Sequence, residues 1–140
     1  MNHDVFISHS SRDKEIVLSI CDELEKNGIK CWCSSRGDII NSDFYSAIHE
    51  AIDACKVYLI IISKESIKSK WVQYGAHLIW EDNKTGHSNK QIVLFRIDDT
   101  EWKELPIILR YQRGIDAFPN YKSSIDELVK LIIDLLGINT

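Results

Sequence analysis

The residues able to act on a ligand fall in a few short stretches. Ser8-His9-Ser10 follows directly on the apolar run Val5-Phe6-Ile7, with Asp13 three residues beyond. Ser10 and Asp13 also have the spacing of a helix cap, which explains both without any ligand. Arg36 and Asp38 sit in a stretch with no periodicity. A guanidinium there pairs either with a phosphate of a dinucleotide or with a surface carboxylate. Trp71 either stacks on a ligand ring or anchors a helix on the sheet, and Gly75 stands four residues after it.

Several chemistries have no motif to carry them. There is no Gly-x-Gly-x-x-Gly, no Gly-x4-Gly-Lys-Ser/Thr and no Gly-x-Ser-x-Gly. The histidines at 3, 9, 49, 77 and 87 lack zinc-like spacing with each other or with the cysteines. Cys31-Trp32-Cys33 is too tight for a usual thiolate pair. No metal site is expected. The four cysteines read as reduced thiols, since Cys21 and Cys55 fall on apolar helix stripes and the chain is large enough not to need staples.

A net charge of −4 gives no electrostatic footprint for nucleic acid or an anionic membrane. No apolar run is long enough to span a bilayer, and the start Met1-Asn2-His3-Asp4 does not read as a secretory signal. The expected location is cytoplasmic. At 140 residues, 44% hydrophobic and 27% charged, the chain has the balance of one folded domain over 1–140.

Two periodicities alternate along it and supply the elements that must position these residues. Strands are expected at Val5–Ile7, Ile29–Cys33, Val57–Ile62 and Gln91–Ile97, with a weaker one at Gly114–Phe118. Val57 to Ile62 is apolar on both faces, as a parallel strand covered on both sides must be. Helical spacing begins at Ser10 and closes at Gly28. It returns over Phe44 to Cys55, again from Ser66 or Ser69 to Glu81, and last from Ser124 and Glu127 to Leu136 before Gly137. Asp82–Lys90 reads as an exposed loop and Asp98–Arg113 as irregular around Pro106; Trp80, Trp102 and Tyr111 are assigned to packing.

Strands alternating with helices imply an α/β fold with a parallel sheet covered on both faces. Five strands suit the flavodoxin-like order 2-1-3-4-5. Ligands in that order sit beyond the carboxyl ends of the strands, where the order reverses between the first and third. The loops at that place are Ser8–Asp13, Ser63–Ser69 and the long stretch after the second strand.

Read together, Asp4-Val-Phe-Ile-Ser-His-Ser-Ser-Arg-Asp13, Gly28-Ile-Lys-Cys-Trp-Cys-Ser-Ser-Arg36 and Ile61-Ile-Ser-Lys-Glu-Ser-Ile-Lys-Ser-Lys-Trp-Val72 resemble a Toll/interleukin-1 receptor (TIR) domain of the bacterial kind. The likeness continues through Val93-Leu-Phe-Arg-Ile-Asp98 and Gly114-Ile-Asp-Ala-Phe118, so it covers essentially the whole chain. It implies the flavodoxin-like fold and two kinds of activity. Many TIR domains assemble with one another through the loop after the second strand, here roughly Ser34–Asp43. Others cleave NAD+ between nicotinamide and ribose, some making cyclic ADP-ribose isomers that serve as immune signals. Bacterial members often act in defence against phage.

The resemblance places NAD+ as substrate or ligand, with no further cofactor required and with other TIR domains as partners. Its binding residues here would be Ser8, His9, Ser10, Arg36, Asp38 and Trp71, and its assembly residues Ile39, Ile40, Asn41 and Asp43. Cleavage leaves an oxocarbenium-like ribosyl cation, which a nearby carboxylate must offset. In the family that carboxylate is the Glu of a Trp-x-x-x-Glu motif, and here the Glu position is Gly75. Glycine within a helix costs about 0.5–1 kcal/mol against alanine, so helix stability does not explain it. Asp38, Asp43 or a neighbouring subunit could supply a replacement; Asp82 shares the helix face but lies too far along for a simple swap. The loop departs from the family as well, since prolines are missing and Ile39-Ile40 leaves an apolar tip. That tip either folds back on the core or forms a contact between subunits. The expectation is a signalling module that associates with other TIR domains and whose catalytic position is impaired, with an NAD+ glycohydrolase or cyclase using a rearranged carboxylate as the alternative.

Overall fold

A computed structural model describes residues 3–33 and 44–137. Arg36, Asp38, Ile39, Ile40, Asn41 and Asp43 lie outside the described residues. The sheet has five parallel strands, β1 (Val5–Ser8), β2 (Cys31–Trp32), β3 (Val57–Ile62), β4 (Gln91–Arg96) and β5 (Arg113–Asp116), in the order β2-β1-β3-β4-β5. The helices are α1 (Lys14–Lys26), α2 (Phe44–Ala54), α3 (Lys70–Lys84), the short α4 (Ile107–Arg110) and α5 (Tyr121–Leu136). Val5 pairs with Cys31 on one side and Val57 on the other, so β1 is interior although it comes first in the chain.

Alternate side chains of the strands feed two cores. Val5, Ile7, Leu59 and Ile61 pack with α1 and α5 through Ile20, Leu24, Leu128 and Ile132. Phe6, Trp32, Tyr58 and Ile60 face the other way, against Ile48 and Ile52 of α2 and Val72, Ala76 and Ile79 of α3. All six residues of β3 are buried, which accounts for its unbroken apolar sequence. The four cysteines are buried and unbridged.

Several boundaries differ from the sequence reading, each for a local reason. Ser10 caps a 3-10 turn, Ser11–Asp13, by accepting from the Arg12 amide, and the α-helix starts only at Lys14. Asp13 does not close a capping box but turns away to Ser63. β2 is cut to two residues. α3 runs three residues past Glu81, to Lys84, and Asn83 fastens its end by bonding Ser88 and both backbone groups of Lys90. α5 begins at Tyr121 rather than Ser124, because the Ser124 hydroxyl donates to the carbonyls of Asn120 and Asp116 instead of capping an amide. The segment around Pro106 contains a 3-10 turn and α4. Tyr111, assigned to packing, is 88% exposed where α4 ends. Trp102 does pack, with its ring edge over Gly114.

Candidate functional site

At the carboxyl ends of β1 and β3 the chain forms a cavity of about 380 Å³, within the range of small-molecule sites. Its floor is aromatic. Phe6 stacks on Trp32 with ring centroids 4.7 Å apart and 13° between planes, and on Tyr58 at 5.2 Å and 9°. The three rings belong to adjacent strands and face the same side, which is why they meet. Ser8, His9, Ser10 and Ser11 form one wall, Ile48 and Ile52 of α2 another, and Ser69, Tyr74 and Gly75 the third.

The polar groups of this lining are mostly hydroxyls. Ser69 caps α3 by accepting from the Val72 amide, so the helix opens toward the cavity with its partial positive charge. His9 is held on both ring nitrogens, Nδ1 at 2.8 Å from the Ser10 carbonyl and Nε2 at 3.4 Å from Cys33 Sγ. Burial opposes its charged form, but the bonds to Cys33 and Ser10 outweigh this and raise its pKa. The cavity therefore suits a ligand with an aromatic ring and anionic or hydroxyl groups. Among the described residues, none that lines it carries a carboxylate.

Tyr58 is the most confined polar group here. It is 1% exposed, and burial raises its phenol pKa, with the neighbouring Ser8 side chain acting against the shift. Its hydroxyl lies against the backbone of Gly75. A Cβ at position 75 would fall almost on the Tyr58 oxygen and 3.0 Å from Cζ. Glycine is required here by close approach rather than by backbone conformation.

Of the residues singled out in the sequence, Ser8, His9, Ser10 and Gly75 come together around this cavity. Trp71 lies in the first turn of α3, with its side chain outside the described residues. Asp82 is on the last turns of α3 and does not line the cavity. Tyr58, Trp32 and Tyr74 were not anticipated as lining residues. The sequence signal for Tyr58 was present: it is the only residue with a polar group in the strand Val-Tyr-Leu-Ile-Ile-Ile. Among the described residues no cluster of three or more His, Cys, Asp or Glu side chains could hold a metal ion, and no helix is long and apolar enough to cross a membrane.

Residues 5–131 match the TIR domain family, and the chain belongs to it. It is 32% identical over 81 residues to a probable 2′ cyclic ADP-D-ribose synthase from Methanobrevibacter olleyae, covering 57% of this chain and 24% of that protein. It is 28% identical over 86 residues to a 2′ cyclic ADP-D-ribose synthase from Bacteroides thetaiotaomicron, covering 61% of this chain and 30% of that protein. These alignments thus span less than a third of either curated relative. Among solved structures, the fold matches the TIR domain of a Toll-related receptor from Hydra magnipapillata with a TM-score of 0.75 at 20% identity, over 96% of this chain and 99% of that one.

Proposed function

We propose that this TIR domain works in immune signalling by associating with other TIR domains, and that its cavity binds NAD+ or a related dinucleotide without cleaving it. The observation that carries the second half is the contact between Gly75 and the Tyr58 hydroxyl. Position 75, where the family's reaction takes its Glu, has no side chain and no room for one. Loss of nicotinamide builds positive charge on the ribose, and none of the described lining residues offers a carboxylate to offset it. Binding makes smaller demands. The aromatic floor, the serine hydroxyls, His9 and the amino end of α3 supply surfaces for a base and for phosphates. The role in association is drawn from the family resemblance of the stretch 34–43, which carries the apolar pair Ile39-Ile40. Titration calorimetry with NAD+, with chromatography of the same samples for nicotinamide, tests the reading. Heat of binding with no nicotinamide released is the expected result, and steady release overturns it.

A second reading is favoured by one observation: of the curated relatives above, one is a 2′ cyclic ADP-D-ribose synthase and the other a probable one. An active chain would need its carboxylate from Asp38, Asp43 or a neighbouring subunit. Asp38→Ala or Asp43→Ala would then abolish nicotinamide release, and unchanged release in both would remove those two candidates.

A further inference from the structure

We infer that Tyr58 is the specificity-determining residue that decides whether this cavity can hold a side chain, and hence a carboxylate, at position 75. The ring cannot easily give way. It is stacked on Phe6, which is stacked on Trp32, and it is 1% exposed. Rotation about the ring axis leaves the oxygen in place, so yielding requires a new χ1 well and loss of the stack. Helix α3 is equally constrained, since Val72, Ala76 and Ile79 hold it on the sheet. The Tyr58 ring therefore takes up, at the cavity lining, the space that a side chain at position 75 would need. The two positions act as a unit: an acidic residue at 75 alone meets the tyrosine oxygen and cannot occupy the site. The steric fit of Tyr58 against Gly75 is independent of any ligand, and its consequence for NAD+ rests on the function proposed above.

Two sets of variants in the full chain separate these parts. The first is a cycle of Gly75→Ala, Tyr58→Phe and the double variant, read as unfolding midpoints without ligand. With Tyr58 present, Gly75→Ala should lower the midpoint by roughly 3–10 °C despite the better helix propensity of alanine. In the Tyr58→Phe background, where the nearest ring carbon is 3.0 Å away, the drop should be less than half as large. Equal shifts in both backgrounds, or a rise with Tyr58 present, overturn the inference. Should Gly75→Ala fail to fold, recovery in the double variant supports the inference and continued failure counts against it. The second set compares nicotinamide release by Gly75→Glu with and without Tyr58→Phe. The double variant should release about tenfold more or better, and equal non-zero release refutes the coupling. Coupling in the first set with no release by any chain leaves the role of Tyr58 standing and counts against the NAD+ reading.

Discussion

The Ser63 hydroxyl donates to the Asp13 carboxylate at 2.6 Å, a bond that spans 50 residues and ties the end of β3 to the turn that follows β1. Ser63 is buried, and its oxygen also accepts from the Ser66 amide, so this one bond braces two of the loops around the cavity.

Burial raises the Asp13 pKa above its ordinary 3.8, with the Ser63 bond acting against it. A raised carboxyl favours the folded state most fully below its unfolded pKa, and that contribution is lost as pH climbs through the folded value. Ionised Asp13 is thus a burden at neutral pH. Asp13→Asn keeps an acceptor for Ser63 without the burden, so its unfolding free energy at pH 7 should equal or exceed the parent's, and the difference should shrink toward pH 3. Asp13→Ala removes the acceptor and should cost about 1–2 kcal/mol. Urea unfolding at the two pH values checks both, and an Asn variant weaker than the Ala variant would contradict the account.

The four cysteines should be silent toward a thiol reagent while the protein is folded. Each is at most 3% exposed, and burial pushes the Cys55 thiol up to about 11. At pH 8 in an aromatic disulfide reagent, colour should develop only on adding denaturant, and then from all four. Rapid reaction of even one thiol in the native protein would show that the packing around it is looser than described.

Arg96 should not tolerate lysine. Its Nε donates to the Thr100 carbonyl at 2.6 Å while Nη1 bonds Asp116, and the guanidinium lies beside the Trp102 and Phe118 rings. An ammonium cannot make both bonds from one plane. Arg96→Lys should cost about 1–2 kcal/mol in chemical denaturation, against a change near zero for an exposed control such as Lys130→Arg.

Replacing the apolar pair Ile39-Ile40 tests the proposed association. Ile39→Asp with Ile40→Asp should lower the sedimentation coefficient at high protein concentration while leaving the circular dichroism spectrum unchanged. An unaltered sedimentation profile would remove that pair as the contact.

What could be read from the sequence followed from how much a residue's role depends on its neighbours in the chain. The bounds of β3 were legible because burial on both faces forces six apolar residues in a row. The strand order followed from alternation and handedness. Roles set by distant partners were not legible. Asp13 fits a helix cap by spacing, yet its partner is Ser63. Ser124 has the spacing of a cap, yet its hydroxyl serves carbonyls from within the helix. Gly75 was conspicuous as an interruption of a motif, but the tyrosine oxygen that requires it belongs to a strand whose register with α3 no local pattern encodes. Tyr111 was misjudged because an aromatic residue is usually buried, and a four-residue helix does not bury what lies at its end.

The position of β1 bears on how this chain emerges from the ribosome. Val5–Ser8 is synthesised first, yet its partners are Cys31–Trp32 on one edge and Val57–Ile60 on the other. Until those residues leave the exit tunnel, an apolar strand has two open edges and nothing to pair with. The sheet cannot grow outward from β1 in chain order; it must close around it. A translational pause before β3 is complete would leave β1 waiting without its partners, which makes the codons from β1 to the end of β3 the stretch where elongation speed should matter most for yield.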